Sequence, residues 1–113
     1  MKNHGHARDK RRGIFKHYHK DQWDKGLLPC CWCGELLTYN KSTLEHLVPK
    51  LFKGSNDRRN LDIACYSCNN LRGNILSKVH AGIISHVEAG SQFTNYLNNK
   101  KKNILTLEDL NVC

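Results

Sequence analysis

Two pairs of cysteines bound what this chain can fold into. Cys30-x-x-Cys33 and Cys65-x-x-Cys68 share a two-residue spacer and stand on either side of the middle of the sequence. A tight turn over such a spacer aims two sulfurs at one point. Two such clips supply the four thiolates of a tetrahedral zinc site, each sulfur ~2.3 Å from the ion. Four protein ligands leave no open coordination position, so the zinc is structural. The rival readings are disulfides and a redox pair. No apolar leader follows the basic N-terminus, and no apolar run approaches the ~18 residues of a membrane span. A cytoplasmic, reducing setting is therefore expected, where paired Cys-x-x-Cys motifs read as metal knuckles. A metal staple also suits 113 residues with 39% hydrophobic content, enough for one domain with a modest core. The step from Cys30 to Cys33 matches the second knuckle, which leaves Cys31 as a small packed thiol and Cys113 as a free one.

The formal charge of +8 is concentrated in residues 1–20, where Lys2, Arg8, Lys10, Arg11, Arg12, Lys16 and Lys20 face Asp9 alone. With Phe15, Tyr18 and Trp23 interleaved, this arm carries the footprint of nucleic-acid contact. The bland reading is a solvated tail. A four-thiolate zinc adds about −2, which lowers the working charge. His4, His6, His17 and His19 read as polar arm residues, not as a second metal site.

Local patterns predict an α+β domain. Residues 1–13 show no apolar periodicity and read as an arm; 14–25 form a short helix that Gly26 ends. Residues 35–39, 43–49 and 60–64 read as strands, the second stopped by Pro49, with a loop over 50–59. A helix is expected from Ser67 through Leu71, Ile75 and Val79. IISHV and FTNYLNN are helical in spacing, with Gly90-Ser91 between them; Lys100-Lys101-Lys102 reads as a solvated turn; Thr106 is placed to cap a last turn. The expected organisation is a basic arm over 1–26, a core over 27–80 and a helical extension over 81–113.

Asn69 follows a zinc ligand directly, so the metal fixes where its side chain sits. Glu45 and His46 lie on the strand before the loop, Asn60 opens the strand after it, and Arg72 is one turn into the helix. Together they form one polar cluster around a strand–loop–strand–helix unit.

The pattern Glu45-His46-x-x-Pro49, a Gly-bearing loop, Asn60-Leu61, and Cys65-x-x-Cys68-Asn69-x-x-Arg72-Gly73 resembles the HNH endonuclease family in its zinc-knuckle form, over about residues 30–74. The resemblance implies a ββα-metal fold and a metal-dependent nuclease acting on DNA. It implies that His46 is the general base, that Asn60 holds the loop and thereby orients the histidine, and that Asn69 and Glu45 are ligands of a catalytic divalent ion, Mg²⁺ or Mn²⁺. Asn69 stands where the original motif has His, and Glu45 where the family often has Asp. The residue types suit the chemistry: an imidazole is a competent base near neutrality, and a hard cation takes carboxylate and amide oxygens. Arg72, Lys50, Lys53, Arg11 and Arg12 are the expected DNA contacts. Neighbours on a regular strand face opposite ways, so Glu45 and His46 share one pocket only if the strand bulges there. Taken singly, the residues have plainer roles: His46 as a packed or capping residue, Asn60 as a turn residue, Asn69 and Asn70 as helix caps, and Arg72 and Lys50 as solvated charges. The alternative function is a zinc-ribbon nucleic-acid-binding module without catalysis. Double-strand cutting would favour a homodimer.

Overall fold

The alternating residues of STLEH and LDIAC pair as an antiparallel hairpin in the computed structural model, which describes residues 4–102. The first strands are short: β1 (Leu28–Pro29) pairs with β2 (Leu36–Leu37). The hairpin proper is β3 (Ser42–His46) and β4 (Leu61–Cys65). Its register is unbroken from Ser42↔Cys65 to His46↔Leu61. Three helices surround it: α1 (His4–His19), α2 (Tyr66–His80) and α3 (His86–Lys101). The architecture is α+β, a ββα unit with helices on either side.

The two faces of the hairpin are distinct. Directly opposed residues share a face, and successive residues alternate. Ser42 accepts a hydrogen bond from Arg11 of α1, and Ile63 packs with Ile14 and Phe15 of α1 in the core. Leu44, His46, Leu61 and Ile63 thus belong to the α1 face. Thr43 accepts from Asn69 of α2, which puts Thr43, Glu45, Asp62 and Ala64 on the α2 face. Phe15 is fully buried between α1 and the sheet, worth ~1.5–3 kcal/mol. Tyr39 meets it edge-on at 5.8 Å and meets Trp23 at 4.9 Å.

The helices depart from expectation in three places. The helix begins at His4, so most of the supposed arm is helical. Its C-terminal half is buried at Ile14 and Phe15. Residues 4–13, rich in good helix formers, extend that anchored turn without an apolar stripe of their own. Residues 83–85 are not helical; Ser85 caps α3 by accepting from the Glu88 backbone N–H, and α3 then runs through Gly90. Lys100 lies inside α3 and is half-buried, not in a solvated turn. The expected cap at Thr106 and the thiol of Cys113 fall outside the described residues. None of the described helices is long and apolar enough to cross a membrane.

Candidate active site and metal centre

The sulfurs of Cys30, Cys33, Cys65 and Cys68 lie within 4.8 Å of one another, all four buried. The Cys33 and Cys65 sulfurs are 3.9 Å apart, close to the ~3.8 Å edge of a tetrahedron with ~2.3 Å zinc–sulfur bonds. This donor set fits zinc. Gly34 closes the first knuckle at φ +83°, a conformation that favours glycine, and its N–H donates to the Cys30 carbonyl at 3.0 Å. Cys65 caps α2, its sulfur accepting from the Cys68 N–H at 3.3 Å. The Cys31 N–H donates to the Ile63 carbonyl at 2.8 Å, tying the first knuckle to β4. The hydrogen bond between Cys30 and Cys68 pulls the Cys30 thiol down and, with burial, pushes Cys68 up. Cys31 stands outside the cluster, its thiol pushed up by burial and by the nearby Asp62 carboxylate.

Lys100 closes the centre from α3. Its Nζ is 2.9 Å from Cys65 Sγ, 3.6 Å from Cys68 Sγ and 3.6 Å from Glu35 Oε1. The Tyr96 hydroxyl lies 3.5 Å from Cys68 Sγ. Neither residue was marked by the motif, because both lie beyond it in sequence.

At the other end of the hairpin, Asn60 braces the loop. Its Oδ1 accepts from the Val48 N–H at 2.8 Å, and its Nδ2 donates to the carbonyls of Val48 at 3.0 Å and Ser55 at 2.8 Å. Next to Ser55, Asn56 Oδ1 sits 2.8 Å from His46 Nε2. An amide oxygen accepts, so Nε2 carries the hydrogen and Nδ1 keeps its lone pair. His46 is half-exposed. Asn56 was expected only as part of a turn; its spacing from His46 has meaning once Asn60 folds the loop back.

Glu45 is on the α2 face and only 6% exposed. Trp32 Nε1 donates to its Oε2 at 2.8 Å, and Arg72 Nη1 lies 3.5 Å from the same oxygen. Burial raises the carboxyl above its ordinary 4.5, while Trp32 and Arg72 oppose the rise. Asn69, half-buried, uses Nδ2 twice, donating to Thr43 Oγ1 at 2.9 Å and the Leu44 carbonyl at 3.0 Å. Those bonds leave Oδ1 as the ligating end of the amide. An amide oxygen and a carboxylate on one face are a donor set that suits a hard divalent cation. The strand has no bulge at Glu45. His46 and Glu45 therefore lie on opposite faces of the hairpin, and Asn69 reaches the Glu45 face at Thr43 and Leu44.

The expected DNA contacts divide. Arg72 faces inward, donating to the carbonyls of His46 at 3.2 Å and Leu47 at 2.7 Å and covering the Trp32 ring at 4.7 Å. Arg11 is also internal, bonded to the Tyr39 carbonyl at 2.8 Å and Ser42 Oγ at 3.0 Å. Arg12 is paired to Asp9 at 3.2 Å. Lys50 and Lys53 are exposed on the loop, Lys53 in a left-handed turn at φ +67°.

A hairpin and helix stapled by four thiolates, with a histidine at the hairpin end and an asparagine one residue past a cysteine ligand, define the ββα-metal class. Residues 29–74 match the HNH endonuclease family. A stretch of 46 residues is 41% identical to the CRISPR-associated endonuclease Cas9 of Corynebacterium diphtheriae and 41% identical to that of Actinomyces naeslundii. The match covers 40% of this chain and 4% of each relative, so the chain spans a small part of the proteins it resembles. The expectation of a homodimer gains no support from the fold or from these relatives.

Proposed function

We propose that the protein is a metal-dependent endonuclease that hydrolyses DNA phosphodiester bonds. In this reading residues 27–80 are the nuclease unit, 1–26 a basic segment that meets DNA, and 81–113 a helical extension. The observation that carries the proposal is the hydrogen bond from His46 Nε2 to Asn56 Oδ1, which leaves Nδ1 of a half-exposed imidazole free to take a proton.

The residues divide the work. His46 Nδ1 removes a proton from water, and the resulting hydroxide attacks phosphorus as the P–O bond to the leaving strand breaks. Asn56 fixes the tautomer, and Asn60 fixes the loop that carries Asn56. Arg72 pins the backbone of His46 and Leu47 to α2, holding the base in place. The scissile phosphate would lie across the end of the hairpin, met by His46 from the α1 face and by a Mg²⁺ or Mn²⁺ ion that Glu45 and Asn69 would hold on the α2 face; the ion would supply Lewis-acid stabilisation of charge on the phosphate and the departing oxygen. The zinc and Lys100 keep Asn69 in position through Cys68. Lys50 and Lys53 are exposed where they can meet the DNA backbone.

One observation favours the second reading, a zinc-ribbon DNA-binding module without cleavage. The Glu45 carboxylate is buried and already engaged by Trp32 and Arg72. Incubation of the purified protein with supercoiled plasmid and Mg²⁺ or Mn²⁺ separates the two. The nuclease reading expects nicked or linear product that a chelator prevents. Binding without cutting in either ion would transfer the case to the binding module.

A further inference from the structure

We infer that a cavity between α1 and the His46 end of the hairpin is a second DNA-backbone site, holding a nucleotide next to the one that is cut. This rests on the nuclease reading for its substrate. The cavity has a volume of about 500 Å³ and is lined by Lys10, Gly13, Ile14, His17, Arg58 and Leu61. Four of these six come from α1, outside the segment that matches the family.

Its position follows from strand register. Leu61 is the cross-strand partner of His46, so the two share the α1 face, with Cα atoms about 4.5–5.5 Å apart. The cavity therefore borders, through Leu61, the strand position that pairs with His46 on the α1 face. A strand whose scissile phosphate meets His46 would run its flanking nucleotide along this rim.

Its chemistry suits a nucleotide. Lys10 and Arg58 supply two cations, and His17 a third donor. Arg58 is oriented, Nη1 donating to the Leu61 carbonyl at 2.9 Å. Asp57 pairs with Arg59 at 3.1 Å while also feeling the charge of Lys10, and Asp9 pairs with Arg12 at 3.2 Å. Ile14 and Leu61 give an apolar floor for a sugar. A Cβ added at Gly13 would meet nothing within 4 Å, so the helix wall there is open.

The test is binding of a 20-base-pair duplex by the zinc-loaded full chain without added divalent ion, titrated from 50 to 300 mM salt. The Lys10→Gln/Arg58→Gln variant should bind about tenfold more weakly, with the log–log salt slope reduced by about 1–2. Gly13→Glu, which favours the helix and places a carboxylate at the wall, should weaken binding similarly with an unchanged or higher melting temperature. Lys78→Gln/Lys101→Gln removes the same charge from exposed positions on α2 and α3 and should change affinity less than twofold. Equal losses for the cavity and control pairs, or wild-type affinity in Gly13→Glu, would overturn the site. A protein that binds in this pattern yet never cuts plasmid would keep the site and sink the nuclease reading.

Discussion

Lys100 Nζ lies 2.9 Å from Cys65 Sγ, so the last turn of α3 holds a cation against the thiolate centre that starts α2. Four thiolates on one zinc would leave a net charge of about −2, and the half-buried ammonium would offset part of it. Burial disfavours the charged lysine, but the bonds to Cys65 and Tyr96 outweigh it and raise the group above its ordinary value. Lys100→Met should release zinc to a competing chelator about 10–100-fold faster, the usual scale for losing a partner of a metal ligand. The wild type should hold one zinc per chain. Unchanged release would reduce Lys100 to a bystander.

Asn60 makes three hydrogen bonds that close the loop between Val48 and Ser55. Asn60→Ala should cost about 1–3 kcal/mol in urea unfolding and lower cleavage together with it. Wild-type stability with full activity would show that the loop does not need this brace.

The contact between Asn56 and His46 makes a pH prediction. Asn56→Asp replaces a neutral acceptor with a carboxylate, which favours the imidazolium. The base must then be freed at higher pH, and the rising limb of the pH–rate profile should move up by about one unit. Asn56→Ala should lower the rate without that shift. A profile that Asn56→Asp leaves in place would remove Asn56 from the mechanism.

Glu45 has a raised carboxyl, so ionising it costs the folded state. Its stabilising contribution is complete below the ordinary 4.5 and is lost as pH rises through the raised value. Glu45→Gln does not titrate and still accepts from Trp32. Its melting temperature relative to wild type should rise between pH 4.5 and neutrality, by on the order of 4–8 °C for each 1 kcal/mol. Cleavage should fall in the same variant. Parallel melting curves across that range would show that Arg72 and Trp32 fully compensate the buried charge.

The parts of the fold legible in the sequence are those set by near neighbours. The Cys-x-x-Cys spacings located the four-cysteine cluster, and the strands read over 43–49 and 60–64 fall on the hairpin of Ser42–His46 and Leu61–Cys65. The resemblance implies a loop-holding role for Asn60, and its side chain bonds Val48 and Ser55 across that loop. What escaped depends on contacts between distant segments. Residues 4–13 have no apolar stripe, so their helix is visible only once Arg11 meets Tyr39 and Ser42. Lys100 looks like part of a lysine run until α3 packs over the thiolates. Arg72 taken singly has the look of a solvated charge, and only its meeting with Glu45 and Trp32 places it inside. The apolar spacing of IISHV suggests a helix from 83, but the Ser85 side chain caps the Glu88 N–H and α3 starts after it.

His46 carries the central claim, and single-turnover cleavage of plasmid by His46→Ala, with duplex binding measured in parallel, tests it most directly. The account predicts a loss of at least about 100-fold in cleavage rate with affinity within a factor of two of wild type. Cleavage by His46→Ala at the wild-type rate would contradict it.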